Sequence, residues 1–161
     1  MKDNGISAKS SNVRFSYSHA TGEYDNGDNK GDKLDAISPD TAVIGLDYLS
    51  QHRKWGLSAV ARFIDKKDRD ESYPATFYSD SATVVDLTAF YNITDNLTVR
   101  GGIYNAFDEN YSLWNSVRHV RAGSGGFFGG VDLDEDTGIS QGIARYSQPG
   151  REVVVNLNYR F

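Results

Sequence analysis

The sequence has no cysteine, and only three prolines and one methionine occur among its 161 residues. Without cysteine there is no disulfide framework, no thiolate zinc site and no cysteine nucleophile. It also lacks any run of 18 apolar residues, and its mean hydropathy of -0.53 agrees with the exclusion of a transmembrane helix. A formal net charge of -5 argues against nucleic acid as the main partner. The length is that of a single domain.

What the sequence has in excess is aromatic residues and an alternation of period two. Aromatic residues make up 12% of the chain, with 10 Tyr, 8 Phe and 2 Trp. Apolar side chains alternate with polar ones from Leu97 to Ile103 and again from Val153 to Phe161. Such alternation is typical of a strand with one apolar and one polar face. It predicts an all-β, antiparallel up-and-down sheet of about six strands, at residues 12–23, 41–49, 55–64, 82–92, 97–107 and 151–161.

The connections between these strands alternate in length. Residues 50–54 and 94–96 are tight turns, whereas the other three connections are long. Short turns at one end and long loops at the other are typical of a transmembrane β-barrel, whose alternating strands give a polar average. Ordinary β-propensity explains aromatic residues at strand ends, but an interfacial girdle also places them there. The aromatic residues concerned are Tyr48, Trp55, Phe63, Tyr91, Phe107, Tyr159 and Phe161.

If the sheet lies in a membrane, the alternation assigns its two faces. Six strands alone would leave two unpaired edges in hydrocarbon and fall below the roughly eight strands of the smallest membrane barrels. We therefore expect the chain to be part of a larger barrel.

The residues expected to face lipid are Leu57, Ala59, Ala61, Val85, Leu87, Ala89, Val99, Ile103, Val155 and Leu157. Those expected to face the interior are Asp47, Ser58, Arg62, Asp86, Thr88, Arg100, Asn156, Asn158 and Arg160.

Patterns that would carry catalysis or metal binding fail on their context. Gly138–Gly142 matches G-x-S-x-G, but the strand and helix that a nucleophile elbow needs do not flank it. Three alternating aspartates resemble the start of a calcium loop, but Ile143 stands where the glutamate is needed. No two of the histidines have the spacing of a metal pair. We therefore expect no catalytic site, no metal site and no enzyme.

Two stretches near the C-terminus carry a family resemblance. Gln148–Phe161 is an alternating strand that follows Pro-Gly-Arg and ends on an aromatic residue, and it resembles the C-terminal signature of TonB-dependent outer-membrane receptors. Asn92–Tyr111 contains N-L-T-x-R-x-G-x-x-N-x-F-D and is similar to that family's penultimate hairpin arm. Ile37–Tyr48, with Trp55-Gly56, resembles the branch that takes haem, haemoglobin, transferrin or lactoferrin. The resemblance covers residues 12–161.

The resemblance implies the C-terminal part of a transmembrane β-barrel of about 22 strands, closed by an N-terminal plug and energised through TonB. Residues 1–11 would be a disordered start and residues 12–161 the barrel segment, and the chain is expected to contain no plug domain. The implied partners are outer-membrane lipid, the remaining strands and plug, TonB, the assembly machinery, and haemoglobin or another iron-carrying protein. The last strand would act as the assembly signal, through Arg151, Val153, Val155, Leu157, Tyr159 and Phe161.

The long loop Tyr111–Gly150 is where contact with the iron source is expected. Binding residues concentrate on loops, and aromatic and arginine side chains are the usual anchors of interfaces. Haem would be a transported ligand of the parent receptor, and no cofactor is assigned to the segment itself. The candidate contact residues are Trp114, Arg118, His119 and Arg121.

The start of the chain shows no apolar stretch of a signal peptide after Met1. We therefore expect a fragment or a mature piece of a bacterial outer-membrane protein. Two alternatives stay open at this point: a small complete ligand-binding β-barrel, and a non-functional truncated receptor fragment.

Overall fold

The computed structural model describes residues 10–34, 36–67, 79–117 and 146–161. Within them the chain forms one antiparallel sheet of six strands in sequential order, which confirms the predicted architecture. The described part also contains a 3-10 turn, Gln51–Arg53, and a one-turn helix α1, Trp114–Val117. No helix among the described residues has the length and apolarity to cross a membrane. The strands are β1 Ser10–Ser18, β2 Thr41–Leu49, β3 Trp55–Ile64, β4 Ala82–Asn92, β5 Leu97–Tyr104 and β6 Glu152–Tyr159.

The ends of β1 and β5 differ from the prediction because loop contacts replace the sheet ladder there. β1 begins at Ser10, so residues 10 and 11 pair with β2 and do not belong to a disordered start as predicted. It stops at Ser18 instead of residue 23, since the chain beyond it makes a small hairpin of its own, with Leu34 N–H bonded to the Gly22 carbonyl at 2.9 Å. β5 stops at Tyr104 instead of residue 107. The next residue, Asn105, adopts a left-handed φ of 48°. Its N–H bonds to the Asp86 carboxylate at 2.9 Å and leaves the ladder.

The strand register places the predicted apolar residues together on one face. Partners in adjacent antiparallel strands point to the same side of a sheet. Large apolar side chains on this face are exposed, among them Val155 by 75% and Leu157 by 64%. A continuous apolar surface of this extent is not expected on a protein that is surrounded by water. One row of paired residues that crosses all six strands is entirely apolar: Val13, Leu46, Ala59, Leu87, Ile103 and Val153. We call this side the outward face.

The opposite side, the inner face, is polar and held by side-chain contacts between strands. Asp47 accepts hydrogen bonds from Arg14 Nη2 at 3.1 Å and from Ser58 Oγ at 2.7 Å, which ties β1, β2 and β3 together. Gly56 makes room for the Phe90 ring, because a Cβ at Gly56 would lie 2.5 Å from its Cε1 atom. The inner face is therefore packed across strands and is not merely a solvated surface.

The rim with the short turns carries an aromatic belt. The ring centroids of Tyr48 and Trp55 are 5.0 Å apart, and those of Tyr159 and Phe161 are 5.1 Å apart. A belt of this kind marks the level of a membrane interface. From Trp55 to Phe63 the strand rises ~26 Å. Even when tilted, it crosses most of the ~25 Å apolar band of an outer-membrane barrel.

The sheet is open in the described residues. β1 and β6 each pair with one neighbour only, so each has one edge without a partner strand. Such edges are not stable in hydrocarbon, where every backbone group needs a partner. The described strands therefore do not form the small complete barrel that the sequence left open as an alternative.

Candidate functional site

Three long connections leave the sheet at the same rim. The first loop, residues 19–40, joins β1 to β2; the second, residues 65–81, joins β3 to β4; the third, residues 105–151, joins β5 to β6. We call this edge the long-loop rim. Because loops held by a rigid scaffold are the usual place of binding residues, the long-loop rim is the candidate functional site.

The first loop is pinned at both ends by one carboxylate. Asp40, directly before β2, accepts a hydrogen bond from the Tyr17 hydroxyl at 2.5 Å and lies 2.8 Å from Nδ1 of His19. The bond from Tyr17, and then that with His19, lowers the pKa of the Asp40 carboxyl from its usual value. The charged form of Asp40 thus joins the last residues of β1 to the start of β2.

Between these ends the first loop folds on itself. Glu23 and Lys33 form an isolated antiparallel bridge, and the Tyr24 N–H bonds to the Asp32 carbonyl at 3.0 Å. Ile37 packs so closely on Gly22 that a Cβ there would lie 2.7 Å from Ile37 Cδ1. The loop is therefore a small structured unit at the rim.

The base of the third loop is closed by two side chains, which we call the stem clip. Asn105, 4% exposed, donates through Nδ2 to the carbonyls of Glu109 at 2.9 Å and Pro149 at 3.2 Å. Its Oδ1 accepts from the Glu109 N–H at 2.8 Å. Asp108 Oδ1 accepts from the Arg151 N–H at 2.7 Å. The stem clip, Asn105 with Asp108, thus joins the end of β5 to the start of β6.

Helix α1 connects the third loop to the other two loops. Trp114 and Val117 are buried, at 2% and 1% exposure. Lys67, from the second loop, places Nζ 5.7 Å from the centre of the Trp114 ring, and Asn115 Nδ2 donates to Ser38 Oγ of the first loop at 3.3 Å. We call these contacts the loop junction. They make the described parts of the three loops one surface.

The predicted contact residues fall in two groups. Trp114 lies inside the loop junction, where it has almost no surface to offer a partner protein. Arg118, His119 and Arg121 lie outside the described residues. No group of three or more metal-ligating side chains occurs in the part of the chain that the structure describes.

The last strand shows the predicted alternation. Val153, Val155, Leu157 and Tyr159 pair with outward-facing residues of β5, and Phe161 follows beyond the strand. Arg151 takes part in the stem clip through its backbone N–H.

Sequence reasoning missed the roles of Asn105, Asp108 and Asp40. Asn105 and Asp108 stand inside the N-x-F-D motif, which was the one signal in the sequence that pointed to them. The motif alone does not show which residues of the other loop stem they bind.

Comparison with known proteins identifies the family. A model of the family "TonB dependent receptor-like, beta-barrel" matches residues 6–106. The "Hemoglobin and hemoglobin-haptoglobin-binding protein" of Haemophilus ducreyi is 33% identical over 142 residues, which are 80% of this chain and 14% of that protein. "Transferrin-binding protein A" of Neisseria meningitidis serogroup B is 27% identical over 142 residues, which are 80% of this chain and 15% of that protein. The chain thus spans about one seventh of the length of these relatives.

Among solved structures, "Copper transporter OprC" superposes with a TM-score of 0.65, covering 94% of this chain and 22% of that chain. At 22% sequence identity this likeness shows the fold alone. The open sheet, its apolar outward face and its two unequal rims define a part of an outer-membrane β-barrel. The chain belongs to the TonB-dependent receptor β-barrel family. This confirms the predicted family and the predicted outer-membrane location. It also confirms that the chain is not an enzyme, because the family consists of receptors.

Proposed function

We propose that the chain supplies six consecutive barrel strands and their external loops to a receptor that takes haem or iron from a host carrier protein. In this proposal residues 12–161 form the C-terminal segment of the barrel, and TonB energises import through a plug. The observation that carries it is the long-loop rim, where three long loops join into one surface above a sheet with an apolar outward face. Support for the carrier class comes from relatives named for binding haemoglobin and transferrin.

The sheet accounts for the membrane part of the proposal. Its outward face is solvated by lipid, and the belt of Tyr48, Trp55, Tyr159 and Phe161 lies at the periplasmic interface. At that level Lys54 Nζ lies 5.4 Å from the centre of the Tyr91 ring. The inner face lines the lumen beside the plug. Haem is cargo here, and no described residue is assigned as its ligand.

The third loop accounts for recognition. It starts from the stem clip and passes through the loop junction, so its first residues have a fixed place on the rim. Arg118, His119 and Arg121 follow α1 directly in sequence. Arginine is enriched among residues that dominate binding energy at protein interfaces. We assign contact with the carrier to these three residues and assign Trp114 to anchoring the loop.

The last strand accounts for assembly. Its outward positions are apolar or aromatic, and the Tyr159 and Phe161 rings meet edge to face. In the proposal, outer-membrane assembly machinery reads this pattern, with Arg151 at its start. The strand thereby serves both as a wall of the barrel and as its targeting signal.

A charge-matched pair of variants tests recognition in the full-length receptor that carries this segment. The triple variant Arg118→Ala, His119→Ala, Arg121→Ala should weaken haemoglobin binding to intact cells about tenfold or more, with unchanged outer-membrane level. The control His52→Ala, Arg53→Ala, Lys54→Ala removes a similar charge from the opposite rim and should leave binding unchanged. Equal binding by both variants would contradict the role of the third loop. A wild-type receptor that binds neither haemoglobin nor transferrin would contradict the carrier class.

A further inference from the structure

We propose that Asn105 and Asp108 are positioning residues that fix how the third loop leaves the barrel and presents its contacts to the carrier. They touch no ligand themselves and act through the loop. Two hydrogen bonds of the stem clip, from Asn105 to Pro149 and from Arg151 to Asp108, join residues 44 and 43 positions apart in sequence. The role in binding rests on the proposed function, whereas the fixing of the loop does not.

Asn105 is the centre of the stem clip. Its amide donates to both sides of the loop base, to Glu109 and to Pro149, and also accepts from the Glu109 N–H. Its own N–H bonds to the Asp86 carboxylate of β4. Removing this buried amide would leave partner groups unsatisfied, which costs more than the bonds themselves contribute. One side chain thus holds two loop stems that are joined to the sheet.

Asp108 adds a second, charge-assisted contact. Its φ of 58° is left-handed, and this turns the carboxylate toward the other stem, where Oδ1 accepts the Arg151 N–H. Gly150 permits this approach, because a Cβ at that position would lie 2.8 Å from Asp108 Oδ1. Hydrogen bonds to ionised acceptors are about twice as strong as neutral ones. Gly150 and Asp108 are therefore both needed for this contact: the glycine leaves the space and the aspartate supplies the acceptor.

The stem clip matters for binding because it lies below the loop junction. The Gln148 N–H bonds to the Tyr111 carbonyl at 2.8 Å directly above it, and Asn115 reaches Ser38 of the first loop. A loop whose base is loose must be ordered at the moment of binding. The apparent dissociation constant then equals the intrinsic constant divided by the fraction of time for which the base is in place, so the affinity falls as this fraction falls. We therefore expect the clip to set affinity without contacting the carrier.

Two substitutions of one residue test the clip in the full-length receptor. Asp108→Ala removes the acceptor, whereas Asp108→Asn keeps an Oδ1 that accepts the Arg151 N–H. We expect Asp108→Ala to raise the rate of proteolysis within the third loop about tenfold and to weaken haemoglobin binding by a similar factor. Asp108→Asn should retain most of both properties. Asp95→Ala, an aspartate of the short turn between β4 and β5 on the opposite rim, should change neither.

A second variant covers the case in which Asp108→Ala does not reach the membrane. Gly150→Ala keeps the carboxylate but places a Cβ against it, and it should raise proteolysis of the third loop in an assembled barrel. Unchanged proteolysis in Gly150→Ala, or equal damage by Asp108→Asn and Asp108→Ala, would overturn the proposal. Proteolysis is measured without carrier. If wild-type receptor binds no haemoglobin, the proposed function fails while the proteolysis contrast still decides the clip.

Discussion

A positive charge on the outward face of the sheet should destabilise the barrel far more than the same charge one residue along. Leu87 lies near the middle of β4, in the apolar row between Ala59 and Ile103. Thr88 points to the inner face, opposite Ser58 and Gly102. Arginine near the bilayer midplane on the lipid face costs ~2–4 kcal/mol, whereas the lumen accepts polar residues. Leu87→Arg should therefore shift the unfolding equilibrium by roughly 30- to 900-fold relative to Thr88→Arg.

Urea unfolding of the full-length receptor in lipid vesicles measures this difference. Both variants carry the same new side chain on adjacent residues, so each serves as the control for the other. A one-residue slip of register exchanges the two faces of a strand completely. Equal destabilisation, or a larger effect of Thr88→Arg, would therefore refute the assignment of the outward face to lipid.

Three further predictions concern single residues. Gly56→Ala should lower the free energy of unfolding by ~1–3 kcal/mol through overpacking. Gly101→Ala should have little effect in the same urea assay, because its Cβ would have its nearest neighbour at 3.8 Å. Phe161→Ala should sharply lower the amount of receptor in isolated outer membranes yet cost the finished barrel no more than ~1–2 kcal/mol; normal amounts would contradict the assembly signal. Because hydrogen bonding lowers the Asp40 pKa, its tie on residues 19–40 should be fully present above the usual aspartate pKa and lost as pH falls through the lowered one. A spin label in that loop should gain mobility below about pH 4, and Asp40→Asn should abolish this pH dependence.

The strands could be predicted because their signal is local. The alternation of Val99, Gly101 and Ile103 with polar residues determines which face each side chain takes, and the register of β5 agrees with it. The strand ends could not be predicted in the same way. β5 ends where Asn105 turns to the Asp86 carboxylate, 19 residues earlier in the chain, and no local pattern contains that contact.

The site was less accessible to sequence reasoning because its contacts are long-range. The N-x-F-D and Pro-Gly-Arg motifs were visible as family patterns, yet their contact through Asp108 and Arg151 appears only once β5 and β6 are paired. Trp114 is expected from the sequence to contact the carrier, but it is buried at the loop junction, where Lys67 Nζ lies 5.7 Å from the centre of its ring. A single sequence does not distinguish an aromatic residue that anchors a loop from one that binds a partner.

Labelling of single cysteines on intact cells shows whether the long-loop rim is the outer, ligand-accessible surface of the receptor. The chain has no cysteine of its own, so it adds no background. Asn26→Cys lies in the first loop and Asp95→Cys in the short turn between β4 and β5. With a membrane-impermeant maleimide, the full-length receptor should be labelled at position 26 on intact cells and at position 95 only after the outer membrane is permeabilised. Labelling at position 95 on intact cells, with position 26 protected, would instead place the short turns outside and the long-loop rim on the periplasmic side.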